Sequence, residues 1–295
     1  PIGDQARVSN PEIYDYQRRL VLEARALTNN AAAKARASWW LGQIPLSQMQ
    51  SGFNFRHDLL SLPGTSTAPT ALYYHSTGTG HLFARSDWST DAFWMAFVAG
   101  RYDQSHAHQD QGAFTLNDHG WLAVTEIVWT HSGIQQGPEV HNVLRFVQAG
   151  ATLPQQQDST STMIVTQGAN GALAVDADLT PAYGVGAPIQ NWRRQLAFAN
   201  RAVLVTDDFA VSPGVSAIWQ VNVPTAPVIV GPSARVGNLL IEVLQPADAV
   251  LSVLDWSSID PDEFRSGYKI EVQGSGNRYV VRLSESGAIF ANGFE

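Results

Sequence analysis

From residue 71 onward the chain is a succession of short apolar runs, each bounded by Gly, Asp, Asn or Ser. ALYYHS, GHLFARS, AFWMAFVAG, GAFTLND and GWLAVTEI open the series, and NRYVVRLS closes it. Runs of this length, alternating or continuously apolar, suit strands and are too short for helices. About fifteen such segments at regular spacing imply a large antiparallel β-sandwich. Before them the texture differs. NPEIYDYQRRLVLEARALT (10–28) reads as a helix, with Asn10 as N-cap, Pro11 at the first helical position and a stripe of Ile13, Leu20, Leu22, Ala24 and Leu27. AAAKARASWWLG (31–42) reads as a second helix ending at Gly42. PLSQMQSGFNFRHDLLSLPGTSTAPT then loses periodicity, which puts a domain boundary near residue 65. The expected fold is mainly β with a short α N-terminal part: helices and linker over 1–64, sandwich over 65–295.

Composition narrows the functions. The formal net charge of −8 opposes non-specific nucleic-acid binding, which needs a basic face. With no cysteine, a metal site must be built from His and carboxylates. No apolar run approaches the roughly 20 residues of a membrane span. The chain begins at Pro1, which reads as a processed product or a fragment.

The stretch SHAHQDQGAF (105–114) concentrates chemistry: His106 and His108, then Asp110, Gly112 and Phe114. If it is extended, both histidines face one side. GAFTLNDHGWLAVTEI then reads as a hairpin turning at Asn117-Asp118-His119-Gly120, which returns Glu126 toward His108. PEVHNVLRF opens a further strand at His141. Two imidazoles and a carboxylate with one open position are a zinc set, so His108, Glu126 and His141 are candidate ligands. An isolated buried histidine is more often a hydrogen-bonded core residue.

Taken together, HLFARSDWSTDAFWMAFVAG, SHAHQDQGAFTLNDHGWLAVTE, VHNVLRF and NWRRQLAFANRAVLVTDDF resemble the C-terminal half of heparinase II/III-like polysaccharide lyases, a group that includes heparin, heparan sulfate and alginate lyases. The resemblance covers roughly residues 70–210. It implies the end of an α/α toroid followed by the sandwich, and β-elimination on an acidic, uronate-containing polysaccharide, periplasmic or secreted, in a bacterium. By motif match His106 is the catalytic histidine, and His108 and His141 are ligands of a structural zinc. The third ligand falls at Thr125 or Glu126, and Glu126 is preferred because it supplies a carboxylate. The resemblance assigns the catalytic tyrosine to the toroid; Tyr73, Tyr74 and Tyr102 read as strand aromatics instead. A separate N-terminal toroid chain is then a candidate partner.

Asp110 either orients a histidine from behind or serves as a turn residue. Asn142 is a candidate substrate contact, as is one of Arg193 and Arg194, which face opposite sides of a strand. Two rivals stand beside the lyase reading. One is a non-catalytic carbohydrate-binding or structural sandwich with a structural metal. The other is a metal-dependent hydrolase or oxygenase using His106, His108 and Glu126.

Overall fold

The computed structural model describes residues 15–44, 64–103, 106–126, 133–134, 136–184, 186, 188–264 and 266–285. Asn10, Pro11, Ile13, His57, Trp129, His131 and most of the expected linker (45–63) lie outside these residues. The chain divides into two compact units, one of residues 10–72 and one carrying the strands from Tyr73.

The first unit holds α1 (Asp15–Leu27) and α2 (Ala31–Gln43). Asn30 caps α2, its side chain accepting from the Ala33 N–H at 3.0 Å, which satisfies one orphan donor of the first turn. The helix runs through Gly42 to Gln43 rather than ending before it. Arg18 donates to the carbonyls of Leu41 and Ile44, where cations are favoured. The expected apolar stripe of α1 is only partly buried. Leu22 is enclosed and Arg25 reaches Ser38 at 2.6 Å, while Leu20 and Leu27 are exposed.

In the second unit each of the fifteen expected segments carries a strand. One five-stranded sheet has the order β1 (Tyr73–Ser76), β2 (His81–Arg85), β3 (Trp94–Val98), β5 (Phe114–Asn117), β6 (Trp121–Ala123). An eight-stranded sheet has the order β10 (Thr162–Gln167), β11 (Leu173–Asp178), β12 (Ile189–Ala199), β13 (Ala202–Val211), β20 (Arg278–Glu285), β17 (Leu239–Gln245), β16 (Ser233–Val236), β15 (Val228–Val230). A second five-stranded sheet has the order β18 (Val250–Asp255), β19 (Tyr268–Gln273), β14 (Val215–Val223), β7 (Leu144–Gln148), β8 (Ala151–Thr152). The short strands β4 (Arg101–Tyr102) and β9 (Ser159–Thr160) pair with each other. Every pairing in the three large sheets is antiparallel. The architecture is that of an antiparallel β-sandwich preceded by two helices.

One apolar core joins the sheets: Val175, Leu196 and Val205 from the large sheet meet Phe146, Trp219 and Ile270 from the second five-stranded one. Period-two alternation produces it. Along β12, Trp192, Arg194, Leu196 and Phe198 are buried, while Arg193 and Gln195 are exposed. Tyr73 packs on the core, but Tyr74 follows it on β1 and so faces out, 66% exposed. Phe146 is the aromatic node. Its ring meets Tyr183, Trp192 and Phe209 edge-on at centroid separations of 5.2, 5.7 and 5.9 Å. Phe146→Ala is therefore expected to cost about 3–5 kcal/mol of unfolding free energy, read from the urea midpoint at unchanged slope. A loss under about 1 kcal/mol refutes that placement.

Candidate active site

The segment 106–112 is not a strand. It is a loop held by side-chain amides together with backbone bonds, the Gln109 N–H donating to the Gln136 carbonyl. Gln111 accepts from the Gly100 N–H at 2.8 Å, and its own N–H donates to Gln155 Oε1 at 2.9 Å. Gln155 donates back to the Gln111 carbonyl, and Gln109 accepts from the Gln155 N–H at 2.7 Å. Gly112 then re-enters the sheet, donating to the Val98 carbonyl at 2.8 Å. Because no pleat governs the loop, its two histidines do not share an environment. His106 is exposed, whereas His108 is buried.

His108 finds the other buried histidine. Its Nδ1 lies 3.1 Å from Nε2 of His141, which is fully enclosed. His141 does not begin a strand. It follows a 3₁₀ turn at Pro138–Val140, and β7 starts at Leu144. Gln220 of β14 fixes this turn by donating to the carbonyls of Pro138, Glu139 and His141. Burial, followed by the neighbouring His108, holds the His141 pKa well below the ordinary histidine value, so its ring is neutral.

Zinc–nitrogen bonds of about 2.0–2.1 Å in a tetrahedron place two ligand nitrogens about 3.3 Å apart. The histidine pair therefore fits two corners of a zinc site. The third corner is not formed: among the described residues, no three His, Asp or Glu stand close enough to share an ion. The expected hairpin does form, with Leu116 opposite Ala123. Beyond Ala123, however, the chain leaves it. Val124 donates to Asn222 and Glu126 to the Val140 carbonyl. This brings Glu126, itself buried, beside the turn before His141, but it is the Thr125 hydroxyl that stands 3.5 Å from His141 Nδ1. The facial set of His106, His108 and Glu126 is likewise not assembled.

The three expected substrate contacts are placed differently from one another. Arg193 is exposed and paired with Asp176. Arg194 is fully buried and Asn142 nearly so, and the polar groups of both are engaged inside the protein. Asn142 donates to the Phe114 carbonyl at 2.7 Å and accepts from the Asn222 N–H at 2.7 Å. Arg194 forks onto Asp207 and donates to the carbonyls of Gly112 and Asn142. This corrects the substrate-contact expectation for both residues, because side chains sealed in the core cannot reach a sugar.

The loop borders a cleft of about 630 Å³ lined by His106, His108, Asp110, His81, Arg101 and Asp103, among others. His81 and Arg101 were not singled out from the sequence. The β2–β3 register, His81 opposite Val98, brings His81 to the strand end that leads into Arg101 and the loop. Burial lowers the His81 pKa. Arg101 is mostly exposed and paired with Asp103 at 2.5 Å. The cleft thus combines one exposed imidazole, one permanent cation and carboxylates, a set able to bind an anion and move a proton.

No family model and no curated protein matches the chain. Solved structures do. It superposes on a heparinase III with TM-score 0.65 at 13% identity, covering 96% of this chain and 42% of that one. A mutant of the heparan sulfate lyase HepC from Pedobacter heparinus gives 0.66 at 16%, covering 98% and 44%. A mutant chondroitin AC lyase from Streptomyces coelicolor A3 gives 0.53 at 13%, covering 92% and 42%. The chain has the fold of the C-terminal part of these lyases. It spans less than half the length of each of them.

Two features of this lyase-like sandwich can be checked directly. Gly112 has φ of +88°, and a Cβ there would lie 2.6 Å from Leu179 Cδ1 and 2.7 Å from Trp192 Cη2. Gly112→Ala should destabilise by about 1–3 kcal/mol. An equally stable variant contradicts the contact. Asp110 is buried, and desolvation pushes its carboxyl up to about 7. The native state therefore holds a proton that the unfolded chain has released above its ordinary value near 4, so this group's contribution to stability falls as pH rises to about 7. Asp110→Asn should remove that loss and be more stable than the parent at pH 8, measured by urea unfolding. A parallel pH dependence in the two proteins would contradict the burial effect.

Proposed function

We propose that this chain is the sandwich portion of a polysaccharide lyase acting on an acidic, uronate-containing polysaccharide, with His106 as its proton-transfer group. The observation that carries the reading is the exposed imidazole of His106 in a cleft beside Arg101, on a fold shared with heparin, heparan sulfate and chondroitin lyases. In the proposed step the C–H bond α to the uronate carboxylate breaks as a base takes the proton. Its electrons form a C=C bond, and the glycosidic C–O bond opens. The departing oxygen takes a proton, so the balance needs no oxidant and no nucleophilic water. A cation near the carboxylate stabilises the charge that builds there. An α/α toroid, in the same polypeptide or as a separate chain, is the partner this reading calls for. A periplasmic or secreted setting, where such polysaccharides occur, belongs to the same proposal.

A structural zinc is proposed with it, held by His108, His141 and Glu126. Two corners fit, and Glu126, whose backbone N–H bonds to the Val140 carbonyl next to His141, would supply the third. When bound, the ion would brace the loop that presents His106 and would take no part in the elimination.

With the toroid present, in the same polypeptide or added as a separate chain, unsaturated uronate followed by its ultraviolet absorbance on heparan sulfate, chondroitin and alginate tests the function. Turnover is expected on at least one polymer, falling about 100-fold or more in His106→Ala. Binding to a polymer with no new double bond would establish the non-catalytic sandwich instead. Elemental mass spectrometry should find about one zinc per chain in the parent and none in His108→Ala. A metal-free parent that folds normally defeats the zinc proposal.

A further inference from the structure

We propose that Arg194 is a positioning residue: it clamps together the two segments that carry His108 and His141, and through the first of them it sets the placement of His106. The inference rests on the lyase reading only for its catalytic consequence.

Four hydrogen bonds of one guanidinium define the clamp. Nε and Nη2 donate to the two oxygens of Asp207, each at 2.8 Å. Nη1 donates outward to two carbonyls, Gly112 at 2.6 Å and Asn142 at 2.8 Å. Gly112 closes the loop that bears His106 and His108. Asn142 directly follows His141. These residues are far apart in sequence, and one guanidinium bonds to both segments at once, beside the direct bonds of His108 to His141 and of Asn142 to the Phe114 carbonyl. The fork geometry matters, because an ammonium on a flexible stem cannot match a carboxylate bidentately and hold two further acceptors in fixed directions.

The surroundings hold the clamp rigid. Arg194 and Asp207 are both fully enclosed, on the paired strands β12 and β13, directly opposite each other. Asp207 also accepts from Trp192 Nε1 at 2.8 Å. The Trp192 ring lies against Gly112 so closely that a Cβ there would collide with it. Arg194 itself lies over Phe114 and Trp192, its guanidinium carbon 5.8 and 5.6 Å from their ring centroids. From the other side Asn142 is held by Asn222 of β14. The loops that bring the histidines to 3.1 Å are thus bolted to both halves of the sandwich.

Two variants test this. Arg194→Met with Asp207→Asn removes both charges, so no uncompensated carboxylate stays buried. Arg194→Lys keeps the charge and loses the fork, and it decides the matter should the double variant fail to fold. Imidazole resonances in long-range ¹H–¹⁵N spectra read the histidine pair without any substrate. In a metal-stripped variant that keeps the parent's circular dichroism and cooperative unfolding, the His108 and His141 signals are expected to lose the shifts that a fixed ring-to-ring hydrogen bond gives the metal-stripped parent. On a substrate polymer, kcat should fall about 10- to 100-fold with KM within about twofold, the size expected of residues that orient ligands from behind. Folded variants whose imidazole spectrum matches the parent overturn the proposal even where lyase activity is present. A parent that forms no unsaturated uronate defeats the lyase reading and leaves the spectroscopic result standing.

Discussion

A fully buried ion pair, Arg194 with Asp207, is the constraint on which the site depends. Taking two charges out of water costs several kcal/mol per ion, and their mutual attraction recovers this only when the remaining donors and acceptors are also satisfied. Here they are. The carboxylate takes the guanidinium fork and the Trp192 N–H, and the remaining guanidinium nitrogen takes two loop carbonyls. Removing one partner of such a pair generally costs 3–5 kcal/mol, whereas an apolar replacement of both can be neutral. Stability alone is thus a weak account of the pair. What it adds that an apolar pair would lack is direction, since it specifies where two irregular segments must lie.

Those segments need specification because no ladder supplies it. Gln155 satisfies both backbone groups of Gln111, the side chains of Gln109 and Gln111 tie the loop to the N–H groups of Gln155 and Gly100, and Gln220 satisfies carbonyls of the turn before His141. A buried loop with unpaired amides would lose the desolvation cost of each group. Side-chain amides, with two donors and an acceptor each, can follow an irregular path that a strand cannot. The result is a loop that leaves His106 in the cleft and sends His108, two residues on, into the interior.

The sheets themselves were legible in the sequence. Apolar alternation marks β12 and β13 plainly, and Asn117-Asp118-His119-Gly120 announces its hairpin, with His119 and Gly120 both at positive φ. Pairing with a distant strand was not legible. Nothing local says that Val124 leaves its hairpin for Asn222, or that Glu126 joins the turn before His141. Among the described residues no third ligand completes the histidine pair, and the Thr125 hydroxyl stands 3.5 Å from His141 Nδ1. The parity of Arg193 and Arg194 was readable, but which of the two faced inward was not. His81 entered the cleft through the register of β2 on β3, which follows from pairing rather than from any motif.

What the sequence by itself determined was most of the strands, though not the short β4, β8, β9 and β16, together with the helical beginning and the crowding of chemical groups around His106. These follow from the period of apolar residues and from turn chemistry, both local properties. What only the tertiary structure decided was the use of those groups: His108 against His141, Arg194 as a tie between loops, Asn142 as a core bridge. Each of these depends on segments tens of residues apart meeting in the interior. There the low dielectric rewards a satisfied polar group and penalises an unsatisfied one, and no local pattern records which partner will arrive.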